Sequence, residues 1–119
     1  MKLIAFAVMA LLAGSAARAD IDIALYHQAQ REGGSSWDAM QYYINGVADG
    51  IMIVNARVTQ ETGKPLICFP ETLPLGLGNW LGLIDQAAKH YPAEKFEHLM
   101  VSAVLQQALE NTFPCKAAH

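Results

Sequence analysis

Lys64-Pro65-Leu66-Ile67-Cys68-Phe69-Pro70 opens the stretch on which the fold turns, and Phe113-Pro114-Cys115 closes it. The only two cysteines of the chain stand at its two ends. If they pair, one covalent bond closes a loop over about 46 intervening residues. Chain entropy puts such a closure at roughly 4 kcal/mol. Inside the loop lie two apolar segments that meet at Tyr91-Pro92.

Whether the cysteines pair depends on compartment, and the N-terminus speaks to that. Lys2 is a short basic start, and Leu3 to Ala13 is an uninterrupted apolar run too short to span a bilayer. Ala17-Arg18-Ala19 fits small-x-small cleavage, so residues 1–19 read as a secretory signal peptide and Asp20 as the mature start. No lipobox cysteine stands at the end of the apolar run to carry a lipid. The mature protein is expected outside the cytoplasm, where two cysteines in one small exported chain form Cys68–Cys115. Free thiols or an intermolecular bridge are the alternatives.

Cleavage removes Lys2 and Arg18 from the eight Lys and Arg and none of the eleven Asp and Glu, so net charge moves from −3 to −5. An acidic balance argues against nucleic acid or an anionic membrane as partner. Residues 20–119 have the length of a single domain, short enough for a disulfide to matter.

Outward from the central stretch, the spacing predicts an all-α bundle of about four helices. Asp20 to Arg31 reads as a first helix, ended by Gly33-Gly34. Ser35 and Asp38 suggest a capping box for the second. Met40, Ile44, Val47, Ile51, Val54 and Val58 then recur at steps of 4, 3, 4, 3 and 4, a helical stripe facing the core. Gly46 and Gly50 interrupt good helix formers at about 1 kcal/mol each relative to Ala, which suggests close approach of another backbone, within the chain rather than between chains. Thr62-Gly63-Lys64-Pro65 ends this helix. Leu75 to Tyr91 forms a third helix, its start softened by Gly76, Gly78 and Gly82. Pro92 opens a fourth, which continues through Phe96, Met100 and Val104 to Asn111 and is the most buried. Cys115 falls just past its end. Trp80, Tyr91, Phe96 and Phe113 read as core, while Trp37 and Phe69 read as exposed anchors; for Phe69, wedging of its loop onto the core is the alternative.

The order Gly46-x-x-Asp49-Gly50, Cys68-Phe69-Pro70, Tyr91-Pro92, Ala108-Leu109 and Phe113-Pro114-Cys115 resembles the Rap/Tai immunity proteins of type VI secretion. The resemblance covers roughly Tyr42 to Cys115 and is loosest over Glu71 to Asn79. It implies a small helical periplasmic protein, often a homodimer, that binds a papain-like peptidoglycan amidase and occludes its active site. Such a protein is not an enzyme and needs no cofactor.

The residues themselves carry no catalytic pattern. His90, Glu94 and His98 are four apart, but Pro92 interrupts the helix that would align them, and no His-Glu-x-x-His occurs. Neither a Gly-x-Ser-x-Gly nor a phosphate loop is present. From loop position and turn chemistry, the partner-binding residues are Phe69, Glu71, Thr72 and Leu73, with His90 and Glu94 at the next corner. A competing reading is an HdeA-like acid-stress chaperone, which is also small, exported and helical with one disulfide. A third is an orphan helical domain of the same fold.

Overall fold

Gly33 makes the first turn in the chain possible. Its φ of 66° lies in the left-handed region, and Gly34 follows at 52°. One residue thus separates two helices, α1 (Ile23–Glu32) and α2 (Gly34–Thr62). In this computed structural model the described residues are 21–116. They form α3 (Leu77–Ala87) with a 3₁₀ turn at Ala88–His90, a short α4 (Ala93–Phe96), and α5 (Val101–Thr112). The all-helical expectation therefore holds, with four substantial helices and one short one. The signal-peptide assignment lies outside the described residues.

Asp22 caps α1 by accepting from the Leu25 amide at 2.9 Å. The other donors of that helix start are satisfied from a distance. The Ile23 amide donates to the Leu99 carbonyl at 2.9 Å, Ala24 to Glu97 at 3.0 Å, and Val101 returns a bond to Ile21 at 2.9 Å. This exchange corrects the continuous fourth helix. Backbone from Glu97 to Met100 leaves helical geometry because its carbonyls serve the orphan donors of α1. The helix resumes at Val101 and is, as expected, the richest in buried residues: Val101, Val104, Leu105 and Leu109.

The expected capping box also fails: α2 begins at Gly34 with no side-chain cap, so Ser35 lies inside the first turn. Its far end agrees with expectation, because Gly63 adopts a left-handed φ of 73° and its amide bonds the Thr59 carbonyl. The stripe holds except at Val54: Val47 and Ile51 are half-buried against the core and Val58 is half-buried. Met40 and Ile44 are buried, Ala48 joins them, and Val54 is 55 % exposed. The steps average 3.6 residues and so keep one face; Val54 is exposed because the described residues leave that part of the face uncovered. Gly46 and Gly50 are a further correction. A Cβ built on either meets nothing within 4 Å, so among the described residues no backbone from another element approaches them.

Tyr26 joins three elements. Its ring is fully buried and meets Trp37 edge-on at 5.6 Å, and its hydroxyl donates to Asp85 at 2.9 Å. Trp37 is therefore a packing residue and not an exposed anchor. The core continues through Ile23, Ile44, Trp80, Ile84, Phe96 and the buried face of α5. Ile67 is the one buried residue from the α2–α3 connection, at 1 % exposure. Asn55 places it there. Its side-chain oxygen accepts from the Leu66 and Ile67 amides, both at 2.9 Å, and its nitrogen donates to the Ile67 carbonyl at 2.9 Å.

Two outcomes follow from these contacts. Asn55→Ala leaves three backbone groups without partners and should cost about 2 kcal/mol, read as a fall in Tm on the order of 10 °C; Asn55→Asp, which keeps the acceptor, should cost less. Burial first, and then the Asp85 hydrogen bond and charge, raise the Tyr26 phenol above its ordinary value. A raised folded value means that the stabilisation is whole below about pH 10 and is lost as pH rises beyond it, because the unfolded phenol ionises first. Tyr26→Phe should flatten that alkaline loss in denaturant titrations while costing about 1 kcal/mol at neutral pH.

Candidate functional site: a groove between α3 and α5

From Gly63 to Gly76 the chain is not helical, and four constraints shape this loop. Asn55 holds its start. The Cys68 amide donates to the Phe113 carbonyl at 3.0 Å. The Cys68–Cys115 disulfide, with Cα atoms 5.0 Å apart, bonds it to the chain beyond α5. At its far end the Asn79 side chain accepts from the Gly76 amide at 2.9 Å and starts α3. Backbone held at both ends keeps the intervening Glu71 to Leu75 in a defined place although few of its own groups are bonded.

That place is one end of a groove. Leu73, Leu75, Gly78, Asn79 and Phe113 border a hollow of about 290 Å³. A second hollow, of about 150 Å³, lies against Ala87, His90, Tyr91, Val104 and Asn111. Both share Leu83, Gln86 and Thr112, so they adjoin along a groove between α3 and α5. Its floor is apolar, from Leu83, Val104 and Ala108, and its edges carry the carboxamides of Asn79, Gln86, Gln107 and Asn111. Gln107 donates to Asn111 at 3.3 Å, which orients two of them. Neutral amides offer donors and acceptors together, which suits a peptide backbone.

The glycines of α3 lower one wall. Gly78 and Gly82 lie four apart and both border the Leu73 end, and a Cβ on either meets nothing within 4 Å. Among the described residues nothing demands their smallness, and Gly82, inside the helix, costs about 1 kcal/mol relative to Ala.

Of the residues expected from sequence to meet a partner, two share this groove. Leu73 stands at one end, 53 % exposed, and His90 at the other beside Tyr91. Phe69 does not line it; its ring is half-buried against Phe113 at 5.7 Å, the wedging alternative. Glu71 and Thr72 are exposed on the loop beyond the groove, and Glu94 is exposed in the first turn of α4. Sequence reading missed Leu83, Gln86 and Thr112 in the middle. The available signal was the pair Gly78 and Gly82, taken there as mere softening of a helix start. Among the described residues no three His, Cys, Asp or Glu side chains gather as a metal site. No family model, curated protein or solved structure matches the chain.

Reduction of the disulfide should release the loop unevenly. Hydrogen exchange on the reduced protein should quicken at the Cys68 amide by on the order of tenfold or more, while the Leu66 and Ile67 amides, held by Asn55, stay near their oxidised rates. Equal acceleration at all three would show that Asn55 does not hold the loop independently.

Proposed function

We propose that the protein is a binding module that seats a polypeptide segment of another protein in the α3–α5 groove. The carrying observation is the groove itself, with two wall glycines that no contact among the described residues requires. An apolar floor with amide edges supplies both buried area and hydrogen bonds at a protein interface. Leu73 and Tyr91, exposed at the two ends, are the apolar anchors.

Together with the resemblance to the Rap/Tai proteins, this makes the partner a papain-like peptidoglycan amidase delivered by type VI secretion, and the setting the periplasm. Immunity is then occlusion. One lip of the amidase cleft lies in the groove while the Leu73 loop covers the cleft mouth. A disulfide-tied loop is suited to that task, because its ordering cost is met in folding and not at binding. The acid-chaperone reading has less support: the described residues bury no charged or polar side chain whose protonation would open the fold.

The test is inhibition of such an amidase, assayed as release of cleaved stem peptide from peptidoglycan. Wild-type protein should inhibit stoichiometrically at neutral pH. Gly82→Leu should fill the groove, leave Tm unchanged or higher, and weaken inhibition at least tenfold. Full inhibition by Gly82→Leu would remove the groove from the interface, and no inhibition of amidases from any co-resident secretion system would remove the immunity reading.

A further inference from the structure

We infer that the Cys68–Cys115 disulfide is a redox switch for the groove, whose Leu73 end is built in the oxidised protein and taken apart in the reduced one. The inference rests on the groove being the binding site. The bond ties together two segments that border the same hollow. Leu73 and Leu75 belong to the loop after Cys68, and Thr112 and Phe113 stand just before Cys115. Neither segment is strongly held by other means. The Cys68 amide, on the Phe113 carbonyl, makes the only hydrogen bond of residues 68–75 among the described residues. One ring contact, Phe69 on Phe113, adds to it. On the other side, α5 closes with the Phe113 amide on the Leu109 carbonyl, and a chain beyond its last helix frays unless it is tied. With the disulfide open, the Leu73 wall and the Phe113 wall no longer move together.

The rest of the fold does not share this dependence. Asn55 holds Leu66 and Ile67, and Asn79 starts α3. Of the residues around the Tyr91 hollow, only Thr112 adjoins a tied segment. Reduction therefore opens one end of the groove and leaves the other. The bond is also open to attack: Cys68 is exposed and Cys115 half-buried. Exposed disulfides are the readily reduced ones. A dithiol supplies both electrons. Its thiolate attacks the Cys68 Sγ, the bond between the two sulfurs breaks, and its electron pair leaves on the Cys115 Sγ, which takes up a proton. The second thiol of the reductant then attacks the mixed disulfide, Cys68 leaves as a thiol, and the dithiol departs as a disulfide. Exchange with a disulfide-bearing oxidant runs the same steps in reverse. Because Asn55 keeps Ile67 in place, Cys68 stays near its partner and the bond closes again readily.

The experiment has two arms. The first compares resonances of the labelled native protein when oxidised, reduced with dithiothreitol and reoxidised. Leu73, Leu75 and Phe113 should move toward random-coil positions on reduction and return on reoxidation, while Ile44, Ile84, Leu105 and Tyr91 keep theirs. Unmoved Leu73, Leu75 and Phe113 overturn the switch. Loss of the Ile44, Ile84 and Leu105 resonances also overturns it, because the change must be local. The second arm measures inhibition of a papain-like peptidoglycan amidase by oxidised wild type and by Cys68→Ser/Cys115→Ser. The double variant should inhibit more weakly by about tenfold or more. Equal inhibition by a folded double variant overturns the switch. If the variant does not fold, wild type kept under dithiothreitol takes its place. An oxidised wild type that does not inhibit counts against the groove reading, and the first arm still decides the switch.

Discussion

Asn55 is the residue on which the rest of the arrangement depends. A long helix followed by a proline-rich connection has no intrinsic reason to return along its own side. Three hydrogen bonds from one side chain bring Leu66 and Ile67 back against α2 and place Ile67 in the core. From that fixed point the chain reaches Cys68, whose amide and sulfur both engage the segment beyond α5. The disulfide therefore closes geometry that hydrogen bonds and burial have already defined. The groove inherits its Leu73 end from this clamp, and its other end from the 3₁₀ turn that brings His90 and Tyr91 beside α5.

The second constraint is the exchange between Ile21–Ala24 and Glu97–Val101. A helix start needs acceptors or caps for its first amides. Asp22 supplies one, and the break between α4 and α5 supplies others. The interrupted helix is thus a consequence of where α1 begins, about 75 residues earlier in the chain. Phe96 on one side of the break and Val101 on the other both remain buried, so the interruption costs little packing.

These two features mark the limit of what the sequence shows. Local signals were legible: Gly33-Gly34 and Gly63-Lys64-Pro65 bound α2, and the apolar face of α5 stands out in its spacing. The disulfide partners were legible too, because there are only two cysteines. The Glu97–Met100 break was not, since its cause lies far away in the chain and Met100 continues the apolar rhythm. Val54 was misassigned because periodicity reports a face and not what covers it. The candidate site was half legible. Loop position pointed to Leu73 and the proline corner pointed to His90, but the groove between them needs α3 laid against α5, which no single helix pattern contains. The glycines were the overlooked evidence. Gly46, Gly50, Gly78 and Gly82 are all helical, and among the described residues nothing packs against a Cβ at any of them.

The central claim is that a partner segment occupies the α3–α5 groove along its length. Nuclear magnetic resonance of the labelled, oxidised protein, titrated with a papain-like peptidoglycan amidase, tests this most directly. The expected result is a continuous track of perturbed resonances from Leu73 through Leu83, Gln86 and Thr112 to Tyr91. Perturbation confined to α1 or α2, with the groove silent, would contradict the account.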